Sequence, residues 1–217
     1  MRRSVFYSLL AALVLLPVLG VLVVKSVANG GNHRPSAGGP PSGPYRGSQP
    51  PRSIQIPNFS LASYRGGIVR TRSLRGKVVV LTFLDTKCRT KCPIVASQLS
   101  DGMRLLTASE RREVAALALT VDPPADTPQT VRAFLRQRHA LGTFDYLLGT
   151  IPEMRPIWHA FFVVAATQTG SAEVHSTDVR IFDRRGIWVS TLHVPPDLTP
   201  ENLANDIRVA LREGDRS

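Results

Sequence analysis

Residues 5–24 carry no charged side chain, and most of them are Leu, Val or Ala. As a helix, this run Val5–Val24 is long enough to cross a bilayer core of ~30 Å. Residues 25–53 follow with no hydrophobic period at all, only a density of Gly, Pro and Ser that cannot build a core. Pattern returns at residue 54. Ile56–Leu61 and Ile68–Thr71 predict a short antiparallel hairpin around Arg65-Gly66-Gly67. Lys77–Leu84 (KVVVLTFL) is a continuous β-branched and apolar run, the signature of a strand buried on both faces. Ile94–Leu106 has helical spacing, and Val114–Val121 is a second buried strand. Thr127 with Pro128 reads as an N-cap and first helical residue, opening a helix to about His139. Phe144–Leu148 predicts a short strand, and Thr150–Phe162 a helix interrupted by Pro156. Val179–Asp183 and Ile187–Val194 flank Arg184-Arg185-Gly186 as a hairpin. Thr199-Pro200-Glu201 then opens an amphipathic helix that reaches Arg212.

Strand, helix, strand, helix, then a hairpin and a last helix is a thioredoxin-like order. It predicts an α/β domain with an N-terminal β-hairpin, parallel strands from the first half and antiparallel ones from the second. The expected organisation is a cytoplasmic N-terminus (1–4), a transmembrane anchor (5–24), a flexible linker (25–53) and one domain (54–217). Arg2 and Arg3 ahead of the apolar run orient it with the N-terminus inside. A cleavable signal peptide is the rival reading, with small residues at Ser26-Val27-Ala28, but signal cores run ~7–15 residues and this one is longer. The expected location is a bacterial plasma membrane, crossed once, with the domain on the periplasmic side.

The formal net charge of +11 is unevenly placed. Six of the 27 basic residues and none of the 16 acidic ones fall in residues 1–53, which leaves the domain near +5. The basic residues of the domain are scattered, without aromatic interleaving or a nucleic-acid motif, so a nucleic-acid partner is not expected. The charge of the leading segment suits anionic lipid headgroups.

Candidate chemistry centres on Thr82–Pro93 (TFLDTKCRTKCP), which holds both cysteines of the chain, Cys88 and Cys92. They lie where the first buried strand turns into a helix, and ligands of α/β sheets gather at the carboxyl ends of strands. A helix starting near Cys88 places both thiols on one face, about a turn apart. The helix N-terminus, together with Lys87, Arg89 and Lys91, then favours thiolates, most of all at Cys88 as the more exposed of the two. A structural disulfide would close a loop of only three residues and constrain the unfolded chain little. The spacing leaves three readings open: a metal site, a redox couple, or that disulfide. His175, just before the strand VRIFD, is brought by a thioredoxin-like fold to face the cysteine loop. Two thiolates and an imidazole form a soft set suited to copper, and one ligand short of structural zinc. His33, His139, His159 and His193 have no such placement. A peroxidase of the peroxiredoxin type is disfavoured, because Asp85 occupies the place where its Thr is needed.

Gly76–Pro93 (GKVVVLTFLDTKCRTKCP), Thr120–Pro128 (TVDPPADTP) and His175–Gly186 (HSTDVRIFDRRG) together resemble the Sco/SenC family. These are membrane-anchored, thioredoxin-fold copper proteins that assist assembly of the binuclear copper centre of cytochrome c oxidase. The resemblance spans nearly all of residues 54–212 and implies that Cys88, Cys92 and His175 ligate copper, as Cu(I) or Cu(II). It implies cytochrome c oxidase subunit II or another copper acceptor as partner, the membrane as support, and Asp122 and Asp126 as residues shaping the loop. A membrane-anchored thiol:disulfide reductase is the alternative activity. Three departures stand out: Arg89 where the family has Pro, Val174 where it has Asp, and a basic rather than acidic stretch between the cysteines.

Overall fold

The computed structural model describes residues 43–214. The apolar run Val5–Val24 lies outside the described residues, and among those described no helix is long and apolar enough to cross a membrane. Strands β1 (Ser60–Ser63), β2 (Ile68–Arg70), β3 (Val78–Leu84), β4 (Val114–Thr120), β5 (Asp145–Leu148), β6 (Val179–Phe182) and β7 (Trp188–Leu192) form one sheet in the order β2-β1-β5-β4-β3-β6-β7. β3 runs parallel to β4, and β4 to β5, while β6 lies antiparallel on the other side of β3 and carries β7. This is the thioredoxin-like arrangement, with β5 and the β1–β2 hairpin added at one edge. The hairpin forms as expected, but its first strand begins at Ser60 rather than Ile56. Pro57 lacks an N–H for pairing, and Thr71 ties the loop instead: its hydroxyl donates to the Pro57 carbonyl and accepts from the Phe59 N–H.

β3 is buried at every position, so its alternation feeds two cores. Val78, Val80 and Leu84 face helix α1 (Lys91–Arg104), helix α3 (Pro128–Gln137) and helix α6 (Pro200–Gly214). Val79, Leu81 and Phe83 face helix α4 (Ile151–Ala160), where Trp158 and the neighbouring Phe161 fill the layer. Phe83 and Phe161 meet edge-to-face at 5.4 Å. Two short helices were not foreseen, α2 (Ala108–Arg112) and α5 (Ala166–Thr169). α1 and α6 approach closely at Gly102, where a Cβ would lie 2.7 Å from Leu203 Cδ2.

Part of the stretch expected as linker packs onto this body. Tyr45 is fully buried, and its hydroxyl donates to Glu213. The Arg46 and Gly47 N–H groups donate to the buried Asp206 carboxylate, which also accepts from Ser190 Oγ. Ser48 bridges Thr191 through both backbone groups.

Candidate metal centre

β3 ends at Leu84 against the sheet centre, and the next six residues form the loop that carries Cys88. Asp85 starts a tight turn: its carboxylate accepts the Lys87 N–H at 2.7 Å and its carbonyl the Cys88 N–H. Asp126 braces the loop from β4's side. Its carboxylate accepts the Thr86 N–H at 3.0 Å, the Thr120 hydroxyl at 2.6 Å and the Tyr146 hydroxyl at 2.7 Å. The expected loop-shaping role thus falls to Asp126, while Asp122 pairs with Lys87 at 3.5 Å.

Helix α1 begins at Lys91, three residues later than Cys88. Cys88 therefore lies in the turn and Cys92 in the first helical turn, rather than both on one helical face. The N-cap residue Thr90 makes no side-chain cap. The Cys88 sulfur takes that place, accepting the Cys92 N–H at 3.4 Å. Both cysteines are free thiols and both are buried, Cys88 at 3 % exposure and Cys92 at 0 %. Cys88 is the more exposed of the two, as expected, but only marginally, because the His175 loop lies over it.

That loop brings His175 in. Its Nε2 is 3.1 Å from Cys92 Sγ, and its Nδ1 is 3.1 Å from the Ser176 carbonyl. A carbonyl can only accept, so Nδ1 carries the proton and Nε2 is turned to the sulfurs. Metal-binding imidazoles are commonly oriented this way. The ligand atoms of Cys88, Cys92 and His175 all lie within 4.8 Å of one another, and no other such cluster occurs among the described residues. Ser176 is pinned in turn, donating from its N–H to the Val164 carbonyl and accepting the Val164 N–H on its hydroxyl.

The two thiols differ. The hydrogen bond from the Cys92 thiol, with smaller help from His175 and from the Cys92 and Thr90 N–H groups, drives the Cys88 thiol far below its ordinary value against the effect of burial. Burial, then the neighbouring Cys88, pushes Cys92 far up. Burial pulls His175 down, but the hydrogen bonds to Cys88 and the Ser176 carbonyl outweigh it, and its net shift is upward. The first thiolate is Cys88, held mainly by these partners rather than by Lys87, Arg89 and Lys91. Burial raises Asp85 to about 6, against the Lys87 N–H.

Glu173 was not singled out in the sequence. It reaches across from the histidine loop and accepts the Arg89 N–H at 2.7 Å, the Thr90 N–H at 3.2 Å and the Thr90 hydroxyl. Its Oε2 lies 3.5 Å from Cys88 Sγ. No acid lies between the two cysteines, and one arrives from the facing loop. Of the other histidines, His159 is exposed and His139 closes a helix end. His193 Nδ1 is 3.1 Å from Asp178 and its Nε2 is 2.9 Å from Ser48 Oγ. His33 lies outside the described residues.

The SCO1/SenC family profile matches residues 47–212. The chain belongs to the SCO1/SenC family. Its relatives include a putative copper-binding protein of Stutzerimonas stutzeri, 29% identical over 149 residues, which cover 67% of this chain and 72% of that protein. Among solved structures, copper-bound ScoI of Bradyrhizobium japonicum superposes with a TM-score of 0.62 at 27% identity, covering 72% of this chain and 99% of the other. ScoI of Arabidopsis thaliana, also solved with copper bound, shares the fold at 21% identity and a TM-score of 0.61, over 74% of this chain and 99% of its own. As a SCO1/SenC protein, this chain brings Cys88, Cys92 and His175 together on two facing loops.

Proposed function

We propose that this protein binds one copper ion through Cys88, Cys92 and His175 and passes it to an acceptor, the binuclear copper centre of cytochrome c oxidase on its subunit II. The orientation of His175 carries this reading. With Nδ1 held by the Ser176 carbonyl, Nε2 is the ring atom presented to the two sulfurs, which completes a three-donor set. Thiolates select Cu(I), and imidazole accepts either oxidation state. Three donors leave a coordination position open, as transfer between proteins requires. Loading displaces the proton from Cys92, so affinity rises with pH. The copper-binding relative and the copper-bound ScoI support the choice of metal. The anchor at 5–24 and a periplasmic location complete the proposal.

One observation favours a second reading, thiol:disulfide reduction. The low Cys88 and high Cys92 are the asymmetry of an attacking and a resolving thiol. Cys88 would attack a partner disulfide. Cys92 would then attack Cys88, releasing the reduced partner as the pair becomes a disulfide. Oxidase assembly at low copper in cells with His175→Ala or Cys88→Ser separates the two readings. Copper delivery predicts loss in both, partly restored by added copper. Reductase action alone predicts loss only in Cys88→Ser. Full assembly in both variants would overturn both readings.

A further inference from the structure

A second feature lies at the opposite end of the sheet from the cysteines. A cavity of about 270 Å³ opens beside the amino end of β3, lined by Arg72, Arg75, Lys77, Arg184 and Arg185 and by no carboxylate. Arg72 and Arg75 come from the 3-10 turn before β3 and its exit, Lys77 from the residue just before the strand, and the last two from the β6–β7 turn. The antiparallel register Val79↔Phe182 brings these pieces together. With seven residues in β3 at ~3.3 Å each, the cavity is ~20 Å or more from the cysteine loop. Two of the cations have carboxylate partners, Arg184 with Glu113 and Arg185 with the buried Asp183. Arg72, Arg75 and Lys77 are exposed and form no ion pair among the described residues. Three uncompensated charges around a concave surface, with guanidinium forks that match phosphate oxygens, make an anion site.

We propose that this basic end of the domain docks on the membrane surface it faces, with the cavity receiving the phosphate of an anionic phospholipid. The choice of a lipid over a free anion rests on the membrane anchor proposed at 5–24, which fixes the domain near the bilayer surface. Eighteen residues, 25–42, separate that apolar run from the described domain. Each Lys or Arg close to an anionic surface gains attraction that falls off within a Debye length. Docked by this end, the domain holds Cys88, Cys92 and His175 on the side turned away from the bilayer, open to an acceptor's extramembrane domain.

The test uses the full chain mixed with vesicles of phosphatidylcholine alone, or of phosphatidylcholine with phosphatidylglycerol, followed by flotation and by amide exchange. Docking predicts exchange at residues 70–77 and 183–187 slowed about tenfold or more only with phosphatidylglycerol. Raised salt reverses the protection, Arg72→Ser/Arg75→Ser/Lys77→Ser abolishes it, and the cysteine loop exchanges unchanged. Equal exchange in the two lipids, or protection surviving in the triple variant, would overturn the proposal. So would equal protection by inorganic phosphate without lipid, which would make the cavity a free-anion site. Flotation reads the anchor separately. A chain that floats with phosphatidylcholine yet gains no protection from phosphatidylglycerol keeps its anchor and loses the docking surface. A chain that floats only with phosphatidylglycerol and is protected there keeps the docking surface and loses the anchor.

Discussion

Asp126 is the point at which the fold grips the cysteine loop, and its removal has a calculable consequence. In Asp126→Ala, three donors lose an acceptor: the Thr86 N–H, the Thr120 hydroxyl and the Tyr146 hydroxyl. Tyr146 retains the Leu84 carbonyl at 2.8 Å. Thr86 and Thr120 are left stranded, the latter fully buried. Each stranded buried donor costs about 1–3 kcal/mol, so the variant should lose about 3–4 kcal/mol. Asp126→Asn should lose only about 1 kcal/mol. Its carbonyl still serves Thr86, and the Thr120 hydroxyl can turn to accept from the new amide. The charge itself is no asset here. Burial raises the Asp126 carboxyl above its ordinary value, against the hydrogen bonds from Thr120, Tyr146 and Thr86. Ionisation is therefore disfavoured in the fold, and stability falls as pH rises from about 4 through the folded value. The Asn variant should lack that fall. Urea unfolding of the three proteins across the acid range is the assay. Equal losses in Ala and Asn would show that charge, not hydrogen bonding, holds the loop, and a loss below about 1 kcal/mol in Ala would refute the brace altogether.

Other outcomes follow from single contacts. Glu173→Ala should change global stability by less than ~1 kcal/mol, since Glu173 is exposed, yet speed amide exchange at Arg89 and Thr90 and weaken copper binding several-fold; unchanged exchange would remove Glu173 as the clamp between the loops. The hydrogen bond to Asp178, despite partial burial, raises the His193 pKa. Its stabilisation is present below the ordinary value near 6.5 and lost as pH rises through the folded value. Asp178→Asn should lower the His193 titration midpoint seen by NMR and cost more stability at acid than at alkaline pH; an unmoved midpoint would contradict the pairing. In Gly47→Ala the new Cβ would lie 2.4 Å from the Thr191 carbonyl oxygen, so the segment around Tyr45 should lift off. Trypsin should then cut after Arg46 and Arg52 sooner than in the parent, and equal cutting rates would show that the segment is not held there.

Patterning was strongest where burial was strongest. The run Val78–Leu84 could be read as a two-faced strand because every position is apolar or β-branched, and Thr127-Pro128 marked a helix start that the structure keeps. The CxxxC spacing located the site without giving its geometry. Pro93 in the first turn of α1 was an available sign that the helix starts close to Cys92, since a missing N–H costs nothing there. The box Thr107-x-x-Glu110 likewise announced α2, and both of its bonds form. Other features had no local signal. Glu173 meets Arg89 and Thr90 across more than 80 residues of sequence, and an exposed loop acid carries no periodicity. The docked segment reads as linker by composition, and only Tyr45, the one aromatic ring of Phe, Tyr or Trp in residues 25–53, hinted that it packs. The same holds for the cations around the cavity at the far end of the sheet, which two separate backbone stretches, 72–77 and 184–185, bring together.

The central claim is that Cys88, Cys92 and His175 act as one copper site, and Cu(I) titration of the reduced full chain against a competing chelator tests it most directly. The account predicts one copper per chain, bound far more tightly than zinc. Tight binding should be abolished in Cys88→Ser and Cys92→Ser and weakened, not abolished, in His175→Ala. Unchanged affinity in His175→Ala, or zinc held as tightly as copper, would contradict it.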